Sequence, residues 1–123
     1  LSHQDGTLVA AGSSDKYRLA AFDAATGTTK WRQEFGWKKD DHGGAIQHPT
    51  IVGGTVYTEF QAFALADGAA RRGLPPRGHG CGAQAASKHT FFYRGGYHTM
   101  WDIAENRQTE IAPARSPTIQ SGS

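Results

Sequence analysis

Apolar residues fall in short runs along this chain, and turn-forming residues separate one run from the next. Short runs bounded by Gly, Asp and Asn are typical of β-strands. The Gly53-Gly54 pair suits a two-residue hairpin, because both central positions of a type I′ turn need positive φ. The pattern predicts strands at Thr7–Ala11, Arg18–Phe22, Thr29–Phe35, Ile46–Val52, Thr55–Phe60, Gln61–Leu65, Phe91–Arg94 and His98–Asp102.

One short motif occurs in related copies along the sequence. Phe22–Gly27 realigns with Phe63–Gly68 at a shift of 41 residues, and with Trp101–Asn106 at a further shift of 38. Each copy reads aromatic, polar or small, small or apolar, Ala, polar, then Gly or Asn. Asn accepts a left-handed backbone more readily than most residues, so it can stand in for Gly in the last copy.

A second echo lies upstream of each copy. Gly6–Val9 aligns with Gly54–Tyr57, and more loosely with His89–Phe92. The spacing between the two echoes varies from copy to copy, which places the length changes in hairpin loops. Two linked echoes with a period of about 40 residues indicate tandem repeats, and a unit of that size fits the four short strands of a propeller blade.

These repeats predict an all-β fold, an open arc of about three four-stranded antiparallel β-propeller blades. The blades would cover residues 1–37, 38–74 and 75–112. Residues 113–123 are a Pro/Ser-rich tail or the start of a next blade, since Ser116–Ile119 echoes His48–Ile51. The competing fold is a small α/β domain with helices at Ala20–Ala25 and Ala62–Ala70, but the Thr-Gly and Asp-Gly breaks leave both runs short for helices.

The first copy carries the most specific signature. Ala21, Asp23, Thr26, Gly27 and Trp31 fit the pattern Ala-x-Asp-x-x-Thr-Gly-x-x-x-Trp. This segment resembles the repeats of the pyrroloquinoline-quinone (PQQ)-like family of β-propellers, which are similar in period to WD40 repeats. The resemblance implies that Trp31 docks between neighbouring blades and that Gly27 makes the turn into the outer strand.

The resemblance weakens along the chain. In the second copy Ala62, Asp67 and Gly68 fit the pattern, but Arg72 stands at the Trp position, and the third copy is degenerate. The resemblance implies a bacterial protein that is periplasmic or secreted. The resemblance therefore implies a piece of a larger extracytoplasmic protein, although this chain contains no apolar signal segment.

Charge and hydropathy exclude two classes of partner. The formal net charge is +2, and the densest basic spots, Lys38-Lys39 and Arg71-Arg72, are only pairs. A nucleic-acid-binding protein usually concentrates its basic residues on one face, so we expect no nucleic-acid partner. No run approaches the roughly 18 apolar residues of a membrane span, so we expect no span.

Candidate chemistry is sparse. In the segment Arg77-Gly78-His79-Gly80-Cys81-Gly82, the residues Arg77, His79 and Cys81 could face a ligand near the propeller channel. The competing interpretation is a tight entry into an inner strand, with Cys81 as a small buried residue. Asp40-Asp41-His42 and His48 offer possible metal ligands, but nothing in the sequence fixes them on one face, so we interpret them as a solvated loop between blades and predict neither a metal site nor catalytic residues.

The expected function is that of a non-enzymatic propeller segment, a scaffold or binding surface within a larger PQQ-like repeat protein. Its partners would be the remaining blades, or other copies through open blade edges; a protein or small-molecule ligand stays open. The alternative is a fragment of a PQQ-dependent quinoprotein oxidoreductase, with PQQ and calcium as cofactors. Quinoprotein dehydrogenases hold the cofactor under adjacent cysteines, and Cys81 is the only cysteine here, so we expect no cofactor.

Overall fold

The computed structural model describes residues 1–36, 48–58, 61–73, 84–94 and 98–111. Within these ranges the regular elements are β-strands in three four-stranded antiparallel sheets, and no helix occurs. The predicted all-β class is confirmed. The competing expectation of helices at Ala20–Ala25 and Ala62–Ala70 is wrong, because strands and tight turns occupy both segments.

The first sheet has the order β1-β2-β3-β4, formed by Ser2–Gln4, Thr7–Ser13, Tyr17–Asp23 and Thr29–Phe35. Asp5 and Gly6 both have positive φ, as the two-residue turn between β1 and β2 requires. The register between β3 and β4 shifts between Ala21 and Phe22: Ala21 pairs with Trp31 and Phe22 with Thr29, so Lys30 is the extra residue of a bulge. The last strand matches its predicted bounds.

The second sheet has the order β5-β6-β7-β8, formed by Thr50–Val52, Thr55–Tyr57, Ala62–Ala64 and Ala70–Arg71. Gly53 and Gly54 have φ values of 55° and 72°, so the predicted hairpin turn is confirmed.

Three predicted strands of the second sheet are too long. Instead of Thr55–Phe60 and Gln61–Leu65, the structure has Thr55–Tyr57 and Ala62–Ala64, because the Thr58 N–H bonds to the Gln61 carbonyl at 2.9 Å and begins the turn there. Instead of Ile46–Val52, the described part of that strand is Thr50–Val52, since His48 and Pro49 are not paired in the sheet.

The third sheet has the order β9-β10-β11-β12, formed by Ala85–Ala86, Thr90–Arg94, His98–Asp102 and Arg107–Glu110. Phe91 and Trp101 face each other across β10 and β11, with ring centroids 5.8 Å apart, and both rings are buried. The two rings meet at an interplanar angle of 40°, a tilted geometry that aromatic pairs favour.

The chain divides into two compact units, Leu1–Leu74 with the first two sheets and Pro75–Ser123 with the third. In the first unit, alternate residues of β2, β3 and β4 point toward the second sheet, as the period of two dictates. The core joins the first two sheets and consists of Val9, Tyr17, Leu19, Ala21, Trp31, Val56, Phe63 and Leu65.

Candidate functional site

The turn after β3 is built around the Asp23 carboxylate. Its Oδ1 accepts hydrogen bonds from the backbone N–H groups of Thr26 (2.8 Å) and Ala25 (3.0 Å), and from the Thr26 hydroxyl (3.0 Å). The Gly27 N–H closes the turn on the Asp23 carbonyl at 2.8 Å. The three hydrogen bonds to Oδ1, the one from the Thr26 N–H first, hold the pKa of the Asp23 carboxyl below its usual value, because each favours the ionised form.

The same turn recurs in the second sheet with its polar residue moved. Asp67 Oδ1 accepts a hydrogen bond from the Ala69 N–H at 2.9 Å. Asp67 aligns with Thr26, whose hydroxyl accepts a longer hydrogen bond from the Thr28 N–H at 3.3 Å. The Asp67 carboxylate in the second copy thus accepts the same backbone hydrogen bond that the Thr26 hydroxyl accepts in the first.

Each turn also needs one residue in the left-handed region. Gly27 and Gly68 have φ values of 73° and 74°, and Asn106 has 48° in the third sheet. Asn106 Oδ1 also accepts a hydrogen bond from Trp101 Nε1 at 3.1 Å, so its side chain holds the turn that its backbone makes. The expectation that Asn replaces Gly in the third copy is confirmed.

A backbone hydrogen bond joins the two sequence echoes in every copy. The residue after the third strand of each sheet donates its N–H to the carbonyl of the turn before the second strand. The pairs are Ala24 with Gly6 (2.8 Å), Leu65 with Gly54 (2.8 Å) and Ile103 with His89 (3.0 Å).

Trp31 of the first sheet lies across the turn of the second. Its side chain is only 7% exposed, and its Nε1 donates to the Leu65 carbonyl at 2.8 Å. The ring lies 6.4 Å from that of Phe63, between centroids. A buried indole N–H needs a partner, and this carbonyl supplies it. The prediction that Trp31 is buried against the neighbouring repeat is confirmed.

Gln33 and Gly68 complete this contact. Gln33 Nε2 donates to the Gly68 carbonyl at 2.9 Å, so two residues on one face of β4 hold the turn. A Cβ added to Gly68 would lie 2.8 Å from Trp31 Cδ2, closer than real contacts allow. Gly68 therefore serves both the left-handed turn and the close approach of the indole.

The opposite face of the first sheet is open. A groove of about 600 Å³ runs along it, with Ala10, Ala20 and Phe22 among its apolar lining and Arg18 and Arg32 among its charged lining. The Ala10, Ala20 and Phe22 side chains are half-buried, and both arginines are exposed. Small residues leave room there for an approaching chain, and charged groups of both signs, Arg18, Arg32 and Glu34, border it.

Ion pairs fix one end of the groove. Arg18 bonds Asp15 and Glu34, each at 2.9 Å, and Lys16 bonds Glu34 at 2.7 Å. Hydrogen bonds from Lys16 and then Arg18 lower the pKa of Glu34, and hydrogen bonds from Ser14 and then Arg18 lower that of Asp15. All of these groups are exposed, so the network organises charge more than it stabilises the fold.

The sequence-predicted ligand-facing residues Arg77, His79 and Cys81 lie outside the described residues, as do Asp40-Asp41-His42. Among the described residues, no group of three or more His, Cys, Asp or Glu side chains could hold a metal ion. In the same part of the chain, no helix is long and apolar enough to cross a membrane. Arg72, at the position that aligns with Trp31, is exposed beyond the end of β8.

The open face was not predicted, although the repeat alignment holds the signal for it. The alignment pairs Leu8 with Val56 and Phe22 with Phe63. Val56 and Phe63 are buried in the contact between the first two sheets, whereas Leu8 and Phe22 are half-buried on the open face. Sequence alternation marks apolar positions on both faces, and only the packing shows which face is covered.

Neither protein-family models nor curated proteins give a match to this sequence. The resemblance to PQQ-like repeats thus rests on the sequence alone, chiefly on Ala21, Asp23, Thr26, Gly27 and Trp31 of the first copy.

Proposed function

We propose that this chain is a non-enzymatic β-propeller segment that acts as a scaffold or binding surface within a larger PQQ-like repeat protein. The observation that carries the proposal is the docking of Trp31 on the Gly68 turn of the next sheet. Four-stranded antiparallel sheets that pack face to face in sequence order are the building pattern of propellers.

The contact between the first two sheets joins unlike surfaces. The first sheet contributes its Val9, Leu19 and Trp31 face, and the second contributes the face with Val56 and Phe63. A contact between unlike faces is heterologous, so it can be repeated from sheet to sheet until a ring closes. This property supports a role as one arc of a larger repeat array.

Side chains of the open groove favour binding over catalysis. Arg18 and Glu34 are held in ion pairs with each other and with neighbours, and the remaining wall is largely small and apolar. Such a surface suits contact with another polypeptide through apolar and charged groups. By the family resemblance, we place the parent protein outside the bacterial cytoplasm, in the periplasm or secreted.

The test is whether the chain binds PQQ or transfers electrons through it. We expect titration with PQQ and calcium to leave the absorbance of PQQ unchanged, and a dye-reduction assay to equal a heat-killed control. Dye reduction that requires added PQQ and calcium would overturn the proposal in favour of a quinoprotein oxidoreductase fragment.

A second measurement tests the observation beneath the proposal. The Trp31 indole N–H should exchange slowly with solvent, and the proton on Cε3 should give a nuclear Overhauser effect to the α-protons of Gly68, since that side of the ring lies against Gly68. Fast exchange without that effect would remove the docking contact and the proposal with it.

A further inference from the structure

Strand β4 presents a long edge that pairs with no described strand. It is the last strand of the first sheet and runs for seven residues, Thr29–Phe35, without Pro or Gly. The other edge strands of the three sheets are shorter, and the longest of them, Arg107–Glu110, has four residues. A long edge strand offers a row of backbone N–H and C=O groups to another strand. Among the described edges, β4 is therefore the one best suited to pairing.

The hydrogen bonds at the end of β3 show which of its backbone groups point toward β4. The Asp23 N–H donates to the Thr28 carbonyl, on the β4 side, at 2.8 Å. The next residue, Ala24, donates to the Gly6 carbonyl, on the β2 side, also at 2.8 Å. Successive residues of a strand bond to opposite neighbours. The odd-numbered residues of β3 therefore bond to β4, and the even-numbered ones bond to β2.

This alternation fixes the outward-pointing groups of β4. The odd-numbered residues 17, 19 and 21 of β3 lie opposite Phe35, Gln33 and Trp31. These three residues of β4 thus use their backbone N–H and C=O groups within the sheet. Arg32 and Glu34 lie between them and direct their backbone groups outward. The side chains of Arg32 and Glu34 are exposed and line the open groove.

A second, antiparallel copy of β4 can bring these outward groups together in three registers. Arg32 opposite Arg32, or Glu34 opposite Glu34, sets like charges directly against each other, which destabilises a strand pair. The third register sets Arg32 opposite Glu34 of the second copy, and two-fold symmetry repeats the pair with the copies exchanged. Of the three registers, this one alone joins opposite charges.

The charges of the open face also favour the third register. Glu34 holds Lys16 with one carboxylate oxygen at 2.7 Å and Arg18 with the other at 2.9 Å. Among the residues that the structure describes, none forms an ion pair with Arg32. A carboxylate has about four lone-pair sites. Glu34 can therefore also accept the Arg32 guanidinium of a second copy, which gives that guanidinium an acidic partner.

The geometry points to a second copy of this chain as the partner of the β4 edge, in an antiparallel pair centred on Gln33 with Arg32 opposite Glu34 in both directions. Each Arg32–Glu34 pair exchanges two backbone hydrogen bonds, and the two first sheets become one continuous sheet. Because the contact is two-fold symmetric, it closes on itself and gives a dimer, without growth into fibres. This assignment rests on the proposed function and names the partner of that scaffold.

Amide hydrogen exchange on the unaltered ¹⁵N-labelled chain locates the contact. In dilute solution we expect the Arg32 and Glu34 amides to exchange fast, and the Gln33 amide, bonded within the sheet, to exchange slowly. At concentrations where light scattering shows a dimer, exchange at Arg32 and Glu34 should slow by at least about tenfold. The amides of Arg107–Glu110, on the outer edge of the third sheet, should keep their rates.

Charge reversal tests the register. Arg32→Glu sets Glu against Glu, and Glu34→Arg sets Arg against Arg, so each variant alone should associate roughly tenfold more weakly in sedimentation velocity. Mixed in equal amounts, the two variants should associate again, because each reversed charge then faces its opposite. Lys16→Gln is the matched control: it removes one ion pair of Glu34 but leaves both facing charges, so its association should equal that of the unaltered chain.

Three results would overturn the assignment: a chain that stays monomeric at NMR concentrations, association without slower exchange at Arg32 and Glu34, or a mixture of the two variants that associates no better than either alone. Slower exchange at Arg107–Glu110 instead would assign the contact to the third sheet. If either variant loses the dispersed spectrum of a folded chain, the exchange rates of the unaltered chain decide.

The outcome is separable from that of the proposed function. A monomeric chain leaves the PQQ and dye-reduction result untouched. PQQ-dependent dye reduction would defeat the proposed function whether or not the β4 edges pair.

Discussion

Trp31 joins the first two sheets by two kinds of interaction at once. Its ring adds a large apolar area to the shared core, and its N–H meets the Leu65 carbonyl at 2.8 Å. Burial of the ring is the larger contribution, since a buried aromatic side chain contributes several kcal/mol and a hydrogen bond about 1 kcal/mol net. The hydrogen bond decides where the ring lies, because an unpaired N–H or carbonyl in the core would carry a cost.

We expect Trp31→Ala to lower the free energy of unfolding by about 3–5 kcal/mol, the usual cost of removing a buried Trp. Trp31→Phe should cost less, because it keeps an apolar ring and loses only part of the indole's packing together with the bond to Leu65. Urea denaturation followed by circular dichroism measures both. Phe92→Ala, at an exposed side chain in the third sheet, is the control and should change stability by about 0.5 kcal/mol or less. A loss near zero for Trp31→Ala would mean that the ring is exposed in solution.

At the scale of elements, the turn after the third strand is the unit that repeats. Its backbone hydrogen bonds are the same in the first two sheets. The carboxylate that accepts hydrogen bonds from the turn lies at different positions, at Asp23 in the first turn and at Asp67, which aligns with Thr26, in the second. The sequence predicted this turn in all three copies because positive φ favours Gly and Asn at its last position. The ends of β6 and β7 were not predictable in the same way, since the Thr58 turn that shortens them carries neither Gly nor Pro.

Gly68→Ala and Gly27→Ala form a matched pair that separates backbone strain from indole packing. Both place a side chain at positive φ, a cost of about 1–2 kcal/mol. Only Gly68→Ala also forces a Cβ against Trp31, at 2.8 Å from Cδ2, which should add about 1–3 kcal/mol. Urea titration of the two variants gives the difference directly. Equal losses would show that the indole does not lie on Gly68.

Asp23→Asn tests the charge in the first turn. The amide oxygen still accepts the turn's hydrogen bonds, but a carboxylate accepts them more strongly, so the variant should be less stable at pH 7. The folded-state pKa of Asp23 lies below the ordinary 3.8, so its extra stabilisation is full above that pH and is lost as pH falls through the lowered value. The stability gap between the two proteins should therefore narrow below pH 3.8.

Urea titrations from pH 7 down to about 2 measure this gap; the lower limit lies well below the usual Asp range. Hydrogen bonds from Thr26 are the main cause of the shift, so raising salt to about 1 M should leave most of the gap in place. A gap that stays constant across the whole pH range would contradict the role of the ionised carboxylate.

At the scale of the whole molecule, the sequence predicted the repeats but not which face of each sheet is covered by a neighbouring sheet. The repeated segments around Gly6 and Phe22 predicted where the sheets lie, because the turns and strand pairs that these residues form are local in the sequence. Which face of a sheet is covered depends on contacts across sheets, such as Trp31 on Leu65, and the same alternation is compatible with either face. The ligand-facing hypothesis for Arg77, His79 and Cys81 stays a prediction.

The isolated chain has a small core and exposed strand edges. Among the described residues of Leu1–Leu74, the cluster that joins the two sheets has eight buried side chains, and one face of the first sheet is open. A unit of this size rarely gains more than about 3–5 kcal/mol from one core. Exposed edge strands such as Arg107–Glu110 also invite pairing between copies.

We therefore expect the isolated chain to melt below about 60 °C, the upper part of the range for mesophile domains. Light scattering should show association that increases with concentration. Because this association uses strand edges, the Gly27 amide signal should stay in place as it occurs. Differential scanning calorimetry and light scattering on the same sample test both parts. A sharp monomer peak together with a cooperative melt above about 60 °C would contradict the expectation, because it would mean that the described sheets already form a complete, closed domain.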